Sequence, residues 1–259
     1  MIQIQKLCKS FGSKIVLQGV DLTISDGATM CIIGKSGCGK SVLLKHIVGL
    51  LEADSGQVIF DGKEIGKLSQ NEIFDLRTKV GYVFQGSALF DSMNVYENVV
   101  IGLFEHGQRD ETKLSSEAIR VLSAVGLLPD IDDFNTEFFR NEWNVLKYKK
   151  PSDLSGGMRK RVGVARALAG NPKYVFYDEP TTGLDPVTSE QIDDLIFQLA
   201  QKFRVTSLVI THDMFSVLKI ADSVALLDDV KVRFEGSPIE LKSSTDEAVI
   251  EFLERYNLT

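Results

Sequence analysis

Gly34-Lys35-Ser36-Gly37-Cys38-Gly39-Lys40-Ser41 fits the spacing G-x-x-x-x-G-K-[ST], the pattern of a loop that wraps phosphates. Glycines let backbone N–H groups crowd around phosphate oxygens, Lys40 sets a point charge on the outer phosphates, and the Ser41 hydroxyl is suited to ligate Mg²⁺. Far downstream, Tyr174-Val175-Phe176-Tyr177-Asp178-Glu179 runs four apolar or aromatic residues into two adjacent carboxylates. Asp178 suits a Mg²⁺ shell, and Glu179 suits a general base that polarises an attacking water. Together these residue types describe binding of a nucleoside triphosphate and hydrolysis of its outer phosphate.

The elements that must position these groups are legible around them. Ala28 to Ile33 is a largely apolar run that reads as a buried strand entering the loop, and Leu43 to Val48 continues as a helix whose positive end faces the phosphates. Tyr174 to Tyr177 reads as a buried parallel strand. Ligands of open α/β sheets sit at the carboxyl ends of strands, so both acids are expected to face the phosphates. An acidic strand end that caps the following helix is the alternative for Asp178 and Glu179.

Leu154-Ser155-Gly156-Gly157-Met158 opens a helical stretch, Arg159 to Leu168. A Ser-Gly-Gly turn at a helix start is a second anion site, because free backbone donors and the helix dipole both favour negative charge. The same turn also reads as an ordinary one with Ser155 as N-cap. With the phosphate loop, the acidic strand and His212, this segment makes the chain resemble the ATP-binding-cassette (ABC) ATPases from Ile2 to about Pro238. The resemblance implies ATP and Mg²⁺ as cofactors and a head-to-tail dimer. Each ATP there lies between one chain's loop (Gly34 to Ser41) and the partner chain's Leu154 to Met158. One copy of each motif is present, so at least two chains are expected to work together. The resemblance further implies that Phe11 stacks on adenine and that Gln85 reaches Mg²⁺ and the water while its loop touches a membrane partner. It also places Asp185 in a loop crossing the dimer interface, and has His212 hold the γ-phosphate. Glu179, His212, Gln85 and Lys40 are then the catalytic set, with Ser41, Gln85 and Asp178 around the metal.

Composition bounds the reading without sharpening it. The chain has 259 residues, 44% of them hydrophobic and 25% charged, the make-up of a globular protein with a sizeable core. Apolar runs such as Ile47 to Leu51 fall far short of the roughly 18 to 20 residues a membrane-spanning helix needs. Met1 to Leu7 alternates like a strand and lacks the apolar centre of a secretion signal. Cys8, Cys31 and Cys38 are odd in number and scattered, which argues for a reducing compartment. The expected location is the cytoplasm, peripheral on the inner membrane. A net charge of −7 argues against a nucleic-acid partner, because such binding draws on a basic surface. The short basic clusters at Lys147, Lys149, Lys150 and at Arg159 to Arg161 do not change that.

The expected fold is α/β, a P-loop NTPase of ABC type, with a mainly parallel core sheet, an antiparallel β subdomain and an inserted helical subdomain. Strand and hairpin signals fill the first part, including an Asp61-Gly62 turn after Gln57 to Phe60. Helical patterns follow at Val95 to Leu103, Glu117 to Val125 and along the signature segment, and strand-helix alternation returns from residue 173. Residues 1–240 are expected to form one ATPase domain. Within it, 1–85 and 171–240 form the nucleotide core, and 86–170 the helical subdomain. Residues 241–259 form a tail, in which Thr245 to Tyr256 reads as a capped amphipathic helix.

Three segments resemble the ATPase subunits of Mla-type phospholipid transporters: Gly34 to Lys45, Phe84 to Val95, and Leu154 to Met158 with Met in its last place. That branch implies permease subunits and a periplasmic lipid-binding subunit as partners, and lipid movement between inner and outer membranes. Two alternatives stay open: the ATPase of a small-solute importer, and a soluble ABC ATPase acting on nucleic acid or the ribosome. Ala88-Leu89-Phe90 reads as an apolar coupling contact, with packing inside the helical subdomain as its alternative. The stretch between Pro129 and Pro151 is longer than the family's usual path. Phe134, Phe138, Phe139, Trp143 and Leu146 recur there at spacings close to one helix face, expected to cover its own subdomain.

Overall fold

The computed structural model describes residues 1–256 as two compact units, one of Met1–Arg77 with the chain from Ala200 onward, the other of Thr78–Leu199. The first unit opens with β1 (Ile2–Phe11), β2 (Lys14–Ile24), β3 (Thr29–Ile33), α1 (Lys40–Ile47), β4 (Ser55–Phe60), β5 (Lys63–Glu64) and α2 (Gln70–Thr78). β2, β1, β4 and β5 form an antiparallel sheet in that order. Its last hairpin pairs Phe60 with Lys63 across Asp61 and Gly62, which both hold positive φ (49° and 79°). Two left-handed residues in a two-residue loop match the right-handed twist of paired strands, and Asp-Gly supplies them with little strain.

β3 buries all five of its side chains, as a strand covered on both faces must. It leads through the loop of residues 34–39 into α1, whose Leu43, Leu44 and Ile47 are fully buried.

The second unit contains β6 (Val80–Val83), α3 (Val95–Glu105), α4 (Glu111–Ala124), α5 (Glu137–Leu146), α6 (Gly156–Leu168), β7 (Tyr174–Asp178) and most of α7 (Pro186–Phe203). β6 and β7 pair in parallel, with Tyr82 opposite Phe176. Helix starts follow the capping rules: Asn94 and Glu97 form a reciprocal box on α3, Asp110 caps α4, Thr136 caps α5 and Ser155 caps α6. Gly81 lets β6 approach α6 closely, since a Cβ there would overlap the Ala167 carbonyl oxygen.

The chain then returns to the first unit with β8 (Thr206–Ile210), α8 (Met214–Ile220), β9 (Ser223–Asp228), β10 (Lys231–Gly236), α9 (Pro238–Lys242) and α10 (Glu247–Glu254). β3 runs parallel to both β8 and β9, and β10 closes the edge antiparallel to β9. The result is the mainly parallel sheet with an antiparallel companion that the sequence predicts. The tail helix α10 is capped by Asp246 and buries Val249, Phe252 and Leu253.

The 129–151 stretch departs from expectation. α5 buries Phe139 and Leu146 and half-buries Trp143, which meets Tyr96 edge-on with centroids 6.0 Å apart. Phe138 is 64% exposed and Phe134 48% exposed. Adjacent helical residues lie about 100° apart around the axis, and here that step carries Phe138 out of the face that buries Phe139. The five side chains therefore do not form one stripe; only Phe139, Trp143 and Leu146 do. Among the described residues, no helix is long and apolar enough to cross a membrane.

Candidate functional site

The first unit carries the loop of Gly34 to Ser41, together with Phe11 and His212. Gly34 has φ 150°, and a Cβ on it would overlap the Leu227 carbonyl oxygen, so the loop's first turn admits only glycine. The ammonium of Lys40, itself 7% exposed, donates to the carbonyls of Gly34 at 2.7 Å and Lys35 at 3.1 Å. Cys38 N–H also donates to the Lys35 carbonyl, at 3.3 Å. A cation is thus stored at the centre of the loop, while Ser36, Gly37 and Ser41 are exposed at its rim and Gly39 is buried. Burial pushes the Cys38 thiol up, partly opposed by the Lys40 charge, and so favours its neutral form. Phe11 ends β1, 49% exposed, with Lys9 Nζ 5.5 Å from its ring centroid. His212 is exposed just past β8, where Thr211 N–H donates to the Ile32 carbonyl at 3.2 Å and ties that strand end to β3.

The second unit carries the carboxylates, Gln85 and the Ser-Gly-Gly turn. Asp178 ends β7, and the Tyr82 hydroxyl of β6 donates to its Oδ2 at 3.2 Å. Glu179 follows in the left-handed region, φ 49°, which is strained for a side chain of this size. Its Oε2 accepts from Thr182 Oγ1 at 3.0 Å, and Thr182 N–H donates to its carbonyl at 3.3 Å.

Gln85 is exposed just past β6, and its carbonyl accepts from Lys160 Nζ. Lys160 is 6% exposed; burial lowers the pKa of its ammonium, and the Glu179 charge partly opposes that. Ser87 and Ala88 both take positive φ, with their carbonyls each 2.7 Å from the Arg166 guanidinium. In that loop Leu89 is half-buried and Phe90 is 51% exposed, so Phe90 is not packed inside.

Ser155 Oγ accepts from Met158 N–H at 3.2 Å and so does cap α6. Its own hydroxyl proton remains a donor, alongside the first N–H groups of the helix. Leu154 is buried beneath the turn, and Ser155 is exposed. Ser155, Gly156, Gly157 and Met158 share one pocket of about 380 Å³ with Leu184 and Asp185. Asp185 is exposed, accepts from Thr188 N–H at 3.0 Å and from the Thr188 hydroxyl, and these bonds hold its carboxyl below the usual range. The signature turn and the Asp185 loop, 30 residues apart in sequence, thus line one recess with an acid on its rim.

Nothing in the sequence assigns a site role to Tyr82, Thr182, Lys160 or Arg166. Only Lys160 carries a readable signal: it lies one helical turn before Val164, on the buried face of α6.

A phosphate-type loop between a buried strand and a helix, with a carboxylate-ended parallel strand and a Ser-Gly-Gly helix start, defines a P-loop ATPase of the cassette type. Residues 17–182 match the ABC transporter family. The chain belongs to that family, as one of its ATP-binding cassettes. The intermembrane phospholipid transport system ATP-binding protein MlaF of Haemophilus influenzae is 35% identical over 98% of this chain and 90% of its own length. The methionine import ATP-binding protein MetN of Carboxydothermus hydrogenoformans is 40% identical over 91% of this chain and 66% of its own. The probable ribonucleotide transport ATP-binding protein mkl of Mycobacterium tuberculosis is 36% identical, and the chain spans 65% of its length. Among solved structures, a dimeric ATP-binding cassette, MJ0796, bound to ADP and Pi in a post-hydrolysis state superposes with TM-score 0.77 at 30% identity, covering 92% of this chain and 99% of that one. The cbiO1 protein of Clostridium perfringens, part of an ABC transporter complex, gives TM-score 0.80 at 29% identity, covering 99% of this chain and 94% of that one. These likenesses carry the ATPase assignment as well as the fold.

Proposed function

We propose that this ATPase works as a head-to-tail pair on the cytoplasmic face of the inner membrane and energises phospholipid movement between inner and outer membranes. The observation that carries the lipid assignment is the likeness to MlaF along nearly the whole of both chains. In this reading Lys40 and the loop N–H groups hold the β- and γ-phosphates, Phe11 stacks on adenine, and His212 orients the γ-phosphate. Glu179 takes the proton of the attacking water. Leu154 to Met158 of one chain, with Asp185 beside them, close over the nucleotide of the other.

The donor chemistry fits Mg²⁺: Ser41 offers a hydroxyl, Gln85 an amide oxygen and Asp178 a carboxylate steadied by Tyr82. When bound, the ion neutralises phosphate charge. Exposed Phe90, on the loop after Gln85, gives a membrane subunit an apolar handle. Permease subunits and a periplasmic lipid-binding subunit complete the complex.

A second reading, the ATPase of a small-solute importer, is supported by the likeness to MetN. Purification of the tagged chain in mild detergent from its source, with mass spectrometry of copurifying subunits and lipids, separates the two. A permease with a lipid-binding subunit is expected. A solute-binding protein in its place favours the second reading.

A further inference from the structure

The loop of Gly34 to Ser41 is fastened from outside by the tail helix. Lys35 Nζ lies 3.2 Å from Glu251 Oε1 on α10 and 3.7 Å from Asp228 Oδ1 at the end of β9. Arg255, one turn further along α10, donates to the same Glu251 oxygen at 2.7 Å. The helix carrying Glu251 is itself anchored: Asp246 caps it, and Val249, Phe252 and Leu253 are buried. Lys35, first, and Arg255 hold the Glu251 carboxyl below the usual carboxylate range. At the other end of this contact, the Lys35 carbonyl is one of the two that grip the Lys40 ammonium, and it also accepts from Cys38 N–H. The side chain of Lys35 is therefore tied to α10, and its peptide is the node around which the loop is folded. α10 lies beyond residues 17–182, the part of the chain that matches the family.

We propose that α10 is a strap on the phosphate loop and that Glu251 is a positioning residue: through Lys35 it fixes the peptide that shapes the loop around Lys40. This rests on the reading of residues 34–41 as the ATP phosphate site. The pair is solvent-accessible, with Lys35 39% and Glu251 60% exposed, so its influence is modest and salt-sensitive.

The test is ATP affinity of the full chain, followed by a fluorescent ATP analogue at low ionic strength and again near ~1 M salt, where the screening length is about 3 Å. Glu251→Ala is expected to weaken binding about threefold at low salt, the scale of a lost exposed ion pair, with kcat at saturating ATP unchanged. The difference is expected to vanish at high salt, and Glu251→Asp to recover most of it. Unchanged affinity in Glu251→Ala overturns the strap. So does tighter binding, which would make Glu251 a mere repeller of phosphate, or an equal loss at high salt, which would make α10 only a packing element. Lys40→Ala separates the two layers. If it binds ATP like the parent, the reading of the loop fails; if it loses ATP while Glu251→Ala is silent, only the strap fails.

Discussion

The Tyr82 hydroxyl of β6 donates across 3.2 Å to Asp178 Oδ2 of β7, joining the strand that leads to Gln85 with the strand that ends in the paired acids. Burial, then the neighbouring Asp178 charge, push the Tyr82 pKa up, so the phenol remains a donor through the neutral and mildly alkaline range. Its ring also lies 4.4 Å from that of Phe84. The carboxylate proposed for Mg²⁺ is thus held by a side chain of the neighbouring strand. Tyr82→Phe keeps the ring and deletes only this bond. It is expected to lower kcat about three- to tenfold, the scale of the net worth of one ordinary hydrogen bond. ATP affinity is expected to stay at the parental value. Steady-state kinetics check both, and parental kcat would show that Tyr82 does not position Asp178.

Glu179 is held in a left-handed turn by Thr182. Replacement by Gln preserves shape and the bond from Thr182 but removes the proposed base. Turnover is expected to fall about 10²- to 10⁴-fold while ATP still binds. Single-turnover hydrolysis measures the first and nucleotide titration the second; hydrolysis at the parental rate would remove Glu179 from the chemistry.

Gly81 is the point at which β6 touches α6 through backbone alone. A methyl group there meets a carbonyl, which cannot rotate away as a side chain can. Gly81→Ala is expected to destabilise the chain by about 2–4 kcal/mol, as overpacking of a closed backbone contact does. Urea unfolding followed by circular dichroism reads the change, and a shift under about 0.5 kcal/mol would mean that the contact is slack.

His46 on α1 is 2% exposed, and its Nδ1 donates to the Val42 carbonyl at 2.8 Å. Burial lowers its pKa below the ordinary value of 6.5. The neutral ring is favoured in the folded chain, so the unfolded chain takes up the proton first. The contribution of His46 to stability is therefore full above pH 6.5 and falls away as the pH drops below 6.5 toward the folded-state value. A parental chain is expected to lose about 2–4 °C of Tm for each kcal/mol surrendered between pH 7 and 5.5, and His46→Gln to show a flatter profile. Identical slopes would assign the acid sensitivity elsewhere.

Local chemistry made much of this readable in advance. The strand-loop-helix around Gly34 to Ser41, the two-residue turn at Asp61-Gly62 and the capped tail helix each depend on residues within a few positions of one another. The α5 faces were not readable, because apolar residues 134, 138, 139, 143 and 146 fit a stripe loosely, and which of them turn inward depends on packing against distant residues such as Tyr96, which meets Trp143. Phe138 ends in solvent and Phe139 inside. Lys35 and Glu251 stand 216 residues apart, and nothing in either neighbourhood encodes their meeting, which arises only once β9, β10 and α10 are in place. The spacing of Lys160 from Val164 hints at its burial, but its partner, the Gln85 carbonyl, comes from a strand end 75 residues away.

The claim that each nucleotide is completed by a second copy is tested most directly by mixing two inactive chains. In the proposed pair, Lys40→Ala destroys a chain's own phosphate loop, and Ser155→Arg blocks the turn that it would lend to its partner. In a mixed pair one site combines both lesions, while the other joins the intact loop of the Ser155→Arg chain to the intact turn of the Lys40→Ala chain. ATP turnover is predicted to be negligible for either variant alone and to reappear on mixing. A mixture no more active than its two components would contradict the shared site.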